Sequence, residues 1–154
     1  MHDVQEAFFQ AMLAGWANNA KKSQIEGLPN AKAIMSEKDG FKVADIYFTT
    51  PFSDLSTGST IIWHLDLPVW IMSYEGRYEQ IVIPFLMECL REAYSKHLFF
   101  GGRGPAFVQG DLFTYTNRFE YNEFGKFSGV EQIHDNQTGR CLGYHRYHGL
   151  SLMR

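Results

Sequence analysis

The chain has little cysteine, no surplus of positive charge and no long apolar run, and each shortage removes a class of function. Two cysteines, Cys89 and Cys141, stand among 154 residues, too few for a disulfide framework or a four-cysteine zinc site. Lysine and arginine total 14 against 17 aspartates and glutamates, a net charge of −3, so no basic face is expected to hold nucleic acid. No apolar stretch approaches the ~18 residues that a membrane span needs. The first nine residues lack a basic region and carry Asp3 and Glu6, which is not a secretory signal. The patterns Gly-X-Ser-X-Gly, His-Glu-X-X-His, Gly-X-Gly-X-X-Gly and Cys-X-X-Cys are also missing, and with them the commonest local signatures of catalysis and cofactor binding. The expectation is a cytoplasmic domain with no nucleic acid, membrane, metal or cofactor as partner.

What is present is apolar and aromatic. Hydrophobic residues make up 45% and aromatics 16%, which is not the composition of a disordered chain. The length fits a single domain over residues 1–154, large enough to bury roughly 68–70% of its unfolded surface.

The first segment has helical spacing. Val4, Phe8, Ala11, Met12 and Gly15 share one face, with Phe9, Leu13 and Trp16 in an adjacent row, so a helix is expected over 4–20. Asp3 is the expected N-cap. Residues 21–40 mix Lys, Gly, Pro, Asn and Asp with little periodicity and read as the longest irregular segment. From Phe41 the period becomes two. Strands are expected over 41–48, 60–65 and 69–74, the last ended by Glu75-Gly76. Helical spacing returns over 79–96, where Val82, Leu86, Cys89, Leu90, Ala93 and Tyr94 share a face and Pro84 suits the first turn. The turn FFGGRGP (99–105) follows, then strands over 112–119, 127–134 and 141–148.

The order is therefore α-β-β-β-α-β-β-β, and the halves, about 1–77 and 78–154, share details. Gly58 precedes a strand holding Trp63, and Gly129 precedes one holding His134. Both last strands end Tyr-X-Gly, at Tyr74–Gly76 and Tyr147–Gly149. The expected fold is α+β: two αβββ repeats with antiparallel strands, each helix packed on a sheet face, the halves related by a pseudo-twofold axis. Six strands fit either one continuous sheet or a partly closed barrel.

PVWIMSYEG (68–76), FLMECL (85–90), RGP (103–105), FSGVEQI (127–133) and YHRYHG (144–149) occur in this order. Together they resemble an uncharacterised bacterial domain family, domain of unknown function 5680, over about residues 40–150. Some members of that family follow a helix-turn-helix segment, so the resemblance implies a regulatory or ligand-sensing role by association and implies no chemistry. Residues 1–40 hold one clear helix, too little for a DNA-reading module. The family often carries paired acids before the aromatic of the first meander. This chain has Ser59 and Thr60 there, and keeps Glu131 in the equivalent place of the second half.

Glu131 is the strongest single candidate for chemistry. It lies among Val130 and Ile133 in a strand expected to be central, and a buried carboxylate needs a partner. Arg103, Arg146 or a tyrosine hydroxyl fits that need. On the last strand His145 and Tyr147 should face one way, and Tyr144, Arg146 and His148 the other. That alternation argues against a metal held by His145 and His148, and Cys141 adds no known zinc spacing. The turn at Gly101–Pro105 is a candidate anion nest beside the Arg103 guanidinium. Trp63, Trp70 and Tyr74 are candidates for lining a pocket. The reading is a domain binding a small molecule or a protein partner through Trp63, Trp70, Tyr74, Arg103, Glu131, His145 and Tyr147, with a homodimer as one form of partner. The alternative is an enzyme of hydrolase or lyase type using Glu131 or a C-terminal histidine as acid/base.

Overall fold

A computed structural model describes residues 1–18 and 20–153. Helix α1 spans His2–Ala14 and buries Val4, Phe8, Phe9, Ala11 and Met12. It ends at Gly15, whose N–H bonds the Ala11 carbonyl at 2.8 Å. The segment 16–18 continues as a single 3-10 turn, so the helix expected over 4–20 is shorter. Met1 rather than Asp3 is the N-cap, and Asp3 sits in the first turn, where a carboxylate complements the helix dipole. Helix α2 spans Ile83–Ser95, with Pro84 in its first turn and Leu86, Cys89, Leu90, Ala93 and Tyr94 buried. It closes in a Schellman-type turn, His97 N–H to Tyr94 O and Leu98 N–H to Ala93 O, with His97 at φ 52°.

The strands are β1 (Ser23–Ile25), β2 (Leu28–Lys38), β3 (Phe41–Thr49), β4 (Leu55–His64), β5 (Leu67–Tyr78), β6 (Phe107–Gln109), β7 (Phe113–Glu123), β8 (Lys126–Asp135) and β9 (Cys141–Ser151). They form one nine-stranded sheet in the order β1-β2-β3-β4-β5-β9-β8-β7-β6, with every neighbouring pair antiparallel. The chain is thus mixed α+β, built mostly of antiparallel sheet. The sheet is open, with three-residue strands at both edges. These short strands cover only part of β2 and of β7.

Two expectations need correction. Residues 21–40 are not irregular: they hold β1 and β2, and β2 turns into β3 through Asp39 and Gly40, both at positive φ. The buried side chains of β2 include Ala31 and Ala33. Alanine is a weak strand former and carries almost no hydrophobic signal, so the strand is there without being visible. The second correction concerns β5, which runs through Glu75-Gly76 to Tyr78. Gly76 does not end the strand. A Cβ there would meet the Tyr144 carbonyl oxygen at 2.0 Å, so the glycine permits the close pairing with β9.

The same device recurs across the sheet centre. Tyr74 faces Gly58, Tyr147 faces Gly129, His145 faces Gly76, Tyr78 faces Gly143 and Phe127 faces Gly149. Each ring lies over its glycine: a Cβ at Gly129 would approach the Tyr147 hydroxyl to 2.4 Å, and one at Gly143 would approach Tyr78 Cδ1 to 2.3 Å. Both helices cover this one face, α1 over β2, β3 and β4, and α2 over β7. The core between helices and sheet includes Phe8, Phe9, Leu86 and Leu90 from the helices and Ile62, Trp70, Tyr115 and Ile133 from the strands.

Candidate functional site

Under the helices the central strands turn polar side chains inward as well as apolar ones. β8 places Glu131 there, β7 places Tyr115 and Asn117, β9 places His145 and Tyr147, and β5 places Tyr74 and Tyr78. Arg103 enters from the turn after α2, where Gly101 and Gly102 take φ 64° and 74°, values that suit glycine. The turn is tied down from all sides. Gly101 N–H donates to Asn122 Oδ1 at 2.7 Å, and Gly104 N–H donates to the Tyr115 hydroxyl at 2.9 Å. Tyr94 donates to the Gly102 carbonyl at 2.9 Å, and Asn117 Nδ2 to the Gly104 carbonyl at 2.8 Å. Of the amides expected to form an anion nest, those of Gly101, Arg103 and Gly104 are therefore engaged within the protein, with Arg103 N–H bonded to Phe100 O.

Glu131 has no exposed surface. Its Oε1 accepts from Arg103 Nε at 3.0 Å, from Arg103 Nη2 and from the Tyr78 hydroxyl, and its Oε2 accepts from the Tyr115 hydroxyl. Burial alone would push this carboxyl up. The Arg103 guanidinium outweighs that and holds it below the usual range. Burial in the same pocket raises the Tyr78 and Tyr115 hydroxyls well above their ordinary value. Arg146, an alternative partner in the sequence reading, lies exposed. The centre is thus an ionised carboxylate with both oxygens hydrogen-bonded, a buried ion pair held by two phenols.

His145 adjoins this centre without joining it. Its Nδ1 lies 3.7 Å from Glu131 Oε1, beyond hydrogen-bond distance. Neither ring nitrogen has a hydrogen-bond partner among the described residues. The ring packs against Tyr74 and Tyr78, with centroids 4.9 and 5.1 Å away. Burial, with Arg103 adding to it, brings its pKa down to about 3, so the imidazole is neutral. Tyr147 donates to Asn117 Oδ1 at 2.6 Å.

The remaining sequence candidates lie elsewhere. Trp70 is fully buried, stacks on Phe124 and Phe127, and donates its indole N–H to the Phe124 carbonyl at 2.9 Å. Trp63 is half-buried, with the Lys42 ammonium 5.8 Å over its ring. Tyr74 points to a residue that sequence reasoning passed over, Asp45 on β3.

Asp45 is a second acid beneath the helices. Its Oδ1 accepts from the Tyr74 hydroxyl at 2.6 Å and from Thr60 Oγ1 at 3.1 Å. Among the described residues it has no ion-pair partner and no hydrogen bond is made to Oδ2. Burial raises its carboxyl pKa, with Tyr74, Thr60 and Arg103 opposing. The sequence did hold a signal, an acid in the alternating run of β3, but Glu131 drew the attention because its surroundings are more apolar.

Asp45 also lines a cavity. A space of about 70 Å³ is bounded by Asp45, Ala11, Met12, Ile34, Ser36, Val43 and the neighbouring residues. It adjoins a cleft of about 880 Å³ between α1 and the β2–β3 hairpin, and the two share Ala11, Ala14, Ser36 and Val43 as walls. From α1 the cleft takes Asp3, Glu6, Gln10 and small alanines. From the sheet it takes Glu37, Lys38, Asp39, Phe41 and His64, and the last two rings stack at 4.5 Å. Neither space touches Glu131, Arg103, His145 or Tyr147. Among the described residues no group of three His, Cys, Asp or Glu is placed to hold a metal ion, and no helix is long and apolar enough to cross a membrane.

Residues 45–151 match the family described as a domain of unknown function, DUF5680. The match covers more than half of the chain, and the chain belongs to that family. No curated protein and no solved structure matches it.

Proposed function

We propose that this DUF5680 member is a binding domain that takes a small organic molecule in the cleft between α1 and the β2–β3 hairpin. The observation that carries the reading is the cleft itself. Its volume of about 880 Å³ falls within the ~300–1,000 Å³ of small-molecule sites. Its wall mixes apolar residues such as Leu13, Phe41 and Val43 with the charged Asp3, Glu6, Glu37 and Asp39, and Asp45 lies on the adjoining small cavity; apolar surface with polar groups that fix orientation is what a small-molecule site needs. Of the residues singled out in the sequence, Tyr74 belongs to this site through Asp45. Arg103, Glu131, His145 and Tyr147 lie outside the walls of this cleft. The enzyme reading with Glu131 as acid/base has less support, because that carboxylate is hydrogen-bonded at both oxygens and closed off.

The reading includes a common origin for the two halves. What supports it is a repeated local arrangement. Gly58 faces Tyr74, whose hydroxyl donates to Asp45 at 2.6 Å; Gly129 faces Tyr147, whose hydroxyl donates to Asn117 at 2.6 Å. Tyr74 and Tyr147 themselves stand opposite each other across β5 and β9. Arg103 and Glu131 pair beside the second arrangement, and the first borders the small cavity next to the cleft.

The test is a fragment screen by ligand-observed NMR, repeated on Ala7→Trp, which fills the cleft from α1. Hits for the unaltered protein should lose binding to Ala7→Trp while its melting temperature stays close to the original. Hits that bind both forms equally, or no hits, would overturn the cleft as a binding site.

A further inference from the structure

We infer that the cleft is built for an organic cation, an apolar body carrying a protonated amine, with Asp45 as its charge partner. The inference rests on the cleft being the binding site and adds the class of ligand. Charge balance is the first argument. The walls carry the carboxylates of Asp3, Glu6, Glu37 and Asp39, with Lys38 and His64 on the basic side. Glu6 is partly satisfied by Gln10 at 2.9 Å and by His97 at 3.0 Å. An anionic ligand would meet a net negative wall, and a cation would be drawn in.

The second argument is the state of Asp45. Both its hydrogen bonds end on Oδ1, and Oδ2 has no partner among the described residues. Lys21 stands on the wall of the same small cavity but is exposed and forms no ion pair with Asp45. Asp45 is half-buried, so its open oxygen is accessible from the cavity and can meet a cation there. In the other half Arg103 supplies the cation to Glu131. In this half no side-chain cation among the described residues pairs with Asp45, and Arg103 acts on it only from a distance, so a cation from outside has a place beside Oδ2.

The third argument is size. A space of about 70 Å³ is too small for a ring but holds an ammonium head with its last methylene, since one water occupies ~30 Å³. The wider cleft, with the Phe41 and His64 rings at its wall, takes the apolar body.

Three near-isosteric probes test this: phenethylamine, phenethyl alcohol and hydrocinnamate, each titrated by NMR into the unaltered protein, Ala7→Trp and Asp45→Asn. The amine should bind about tenfold tighter than the alcohol, or about 1.4 kcal/mol, and the carboxylate should bind weakest. Asp45→Asn should erase the difference between amine and alcohol while leaving the alcohol unchanged. The carboxyl ¹³C resonance of Asp45 should move on adding the amine and stay still on adding the alcohol, a readout that needs no variant. Equal binding of amine and alcohol, both lost in Ala7→Trp, would overturn the cation inference and leave the binding site intact. An amine preference that survives Asp45→Asn would overturn Asp45 as the partner. Binding of all three that ignores Ala7→Trp would overturn the binding site itself.

Discussion

Strands β3–β5 under α1 and strands β7–β9 under α2 use the same backbone device with different chemistry. In each, a glycine on the middle strand makes room for a tyrosine on the third, and that tyrosine donates to a polar residue on the first. Under α2 the acid, Glu131, is fully buried, and Arg103 and two phenols meet it. Under α1 the acid, Asp45, has two hydroxyls and an open cavity wall. The difference lies in which charges are completed by the fold. A buried pair with both carboxylate oxygens hydrogen-bonded belongs to the architecture, and removing one member is strongly destabilising. An acid with one oxygen unpartnered among the described residues, on the wall of a small cavity, costs stability, a pattern common where a site is held ready for a ligand.

The largest break in this comparison is Arg103→Met. It leaves Glu131 charged in a dry interior and should cost about 3–5 kcal/mol, read from the denaturant midpoint. A loss under ~1 kcal/mol would mean that both halves carry their acids alike.

Acid provides the next separation. His145 has its ordinary pKa near 6.5 when unfolded and about 3 when folded, so between those values the unfolded chain takes a proton that the folded one refuses. Stability then falls as the pH falls, by about 2 kcal/mol between about pH 7 and about pH 5. Glu131, lowered when folded, adds a loss of the same sign below its ordinary value near 4.5. Asp45, raised when folded, acts oppositely, since it binds its proton more readily in the native state. His145→Phe should flatten the profile over the upper part of this range. An unchanged slope in urea titrations at the two pH values would show that His145 titrates normally.

Smaller still are the tyrosines. Tyr147→Phe leaves Asn117 Oδ1 without its 2.6 Å donor and should cost about 1 kcal/mol. Tyr74→Phe should cost less, because Asp45 keeps Thr60 and lies beside open space. Equal losses in a thermal melt would remove this distinction between the halves.

The smallest effect has the opposite sign. In Asp45→Asn the amide oxygen still accepts from Tyr74 and Thr60, while the charge is gone. Stability above the Asp45 pKa should stay level or rise, by less than about 1 kcal/mol. A loss above ~2 kcal/mol in the same melt would place Asp45 with Glu131 as a structural acid.

Much of this arrangement was legible in the residues. The apolar rows of α1 and α2, six of the strands from Phe41 onward and the shared face of His145 and Tyr147 follow from side-chain period, and Pro84 in the first turn follows from its missing N–H; the three-residue β6 and the start of β4 at Leu55 do not. Glu131 stood out as an acid needing a partner, and Arg103 and the tyrosines were among those considered. The β1–β2 hairpin is hidden in the sequence because two of the three buried positions of β2 are alanines, Ala31 and Ala33, and the third, Ile34, follows Ala33 directly and so breaks the alternation. Gly76 was misread as a strand end because a glycine that admits a close neighbour looks like a glycine that turns the chain. Asp45 was passed over because its importance comes from the cavity beside it, which α1 and β2 create together.

Which side chains share a face in α1, α2 and the strongly alternating strands follows from the residues alone, because periods of two and 3.6 are local properties of strand and helix. The sequence also determined that a carboxylate would be among them. Only the tertiary structure decided which acid is closed and which is left open. Arg103 meets Glu131 across 28 residues and Tyr78 meets it across 53, through a sheet order that pairs β5 with β9. Nothing in the local pattern encodes that pairing. Packing of both helices on one face supplies it, and the same packing leaves the space beneath α1 unfilled.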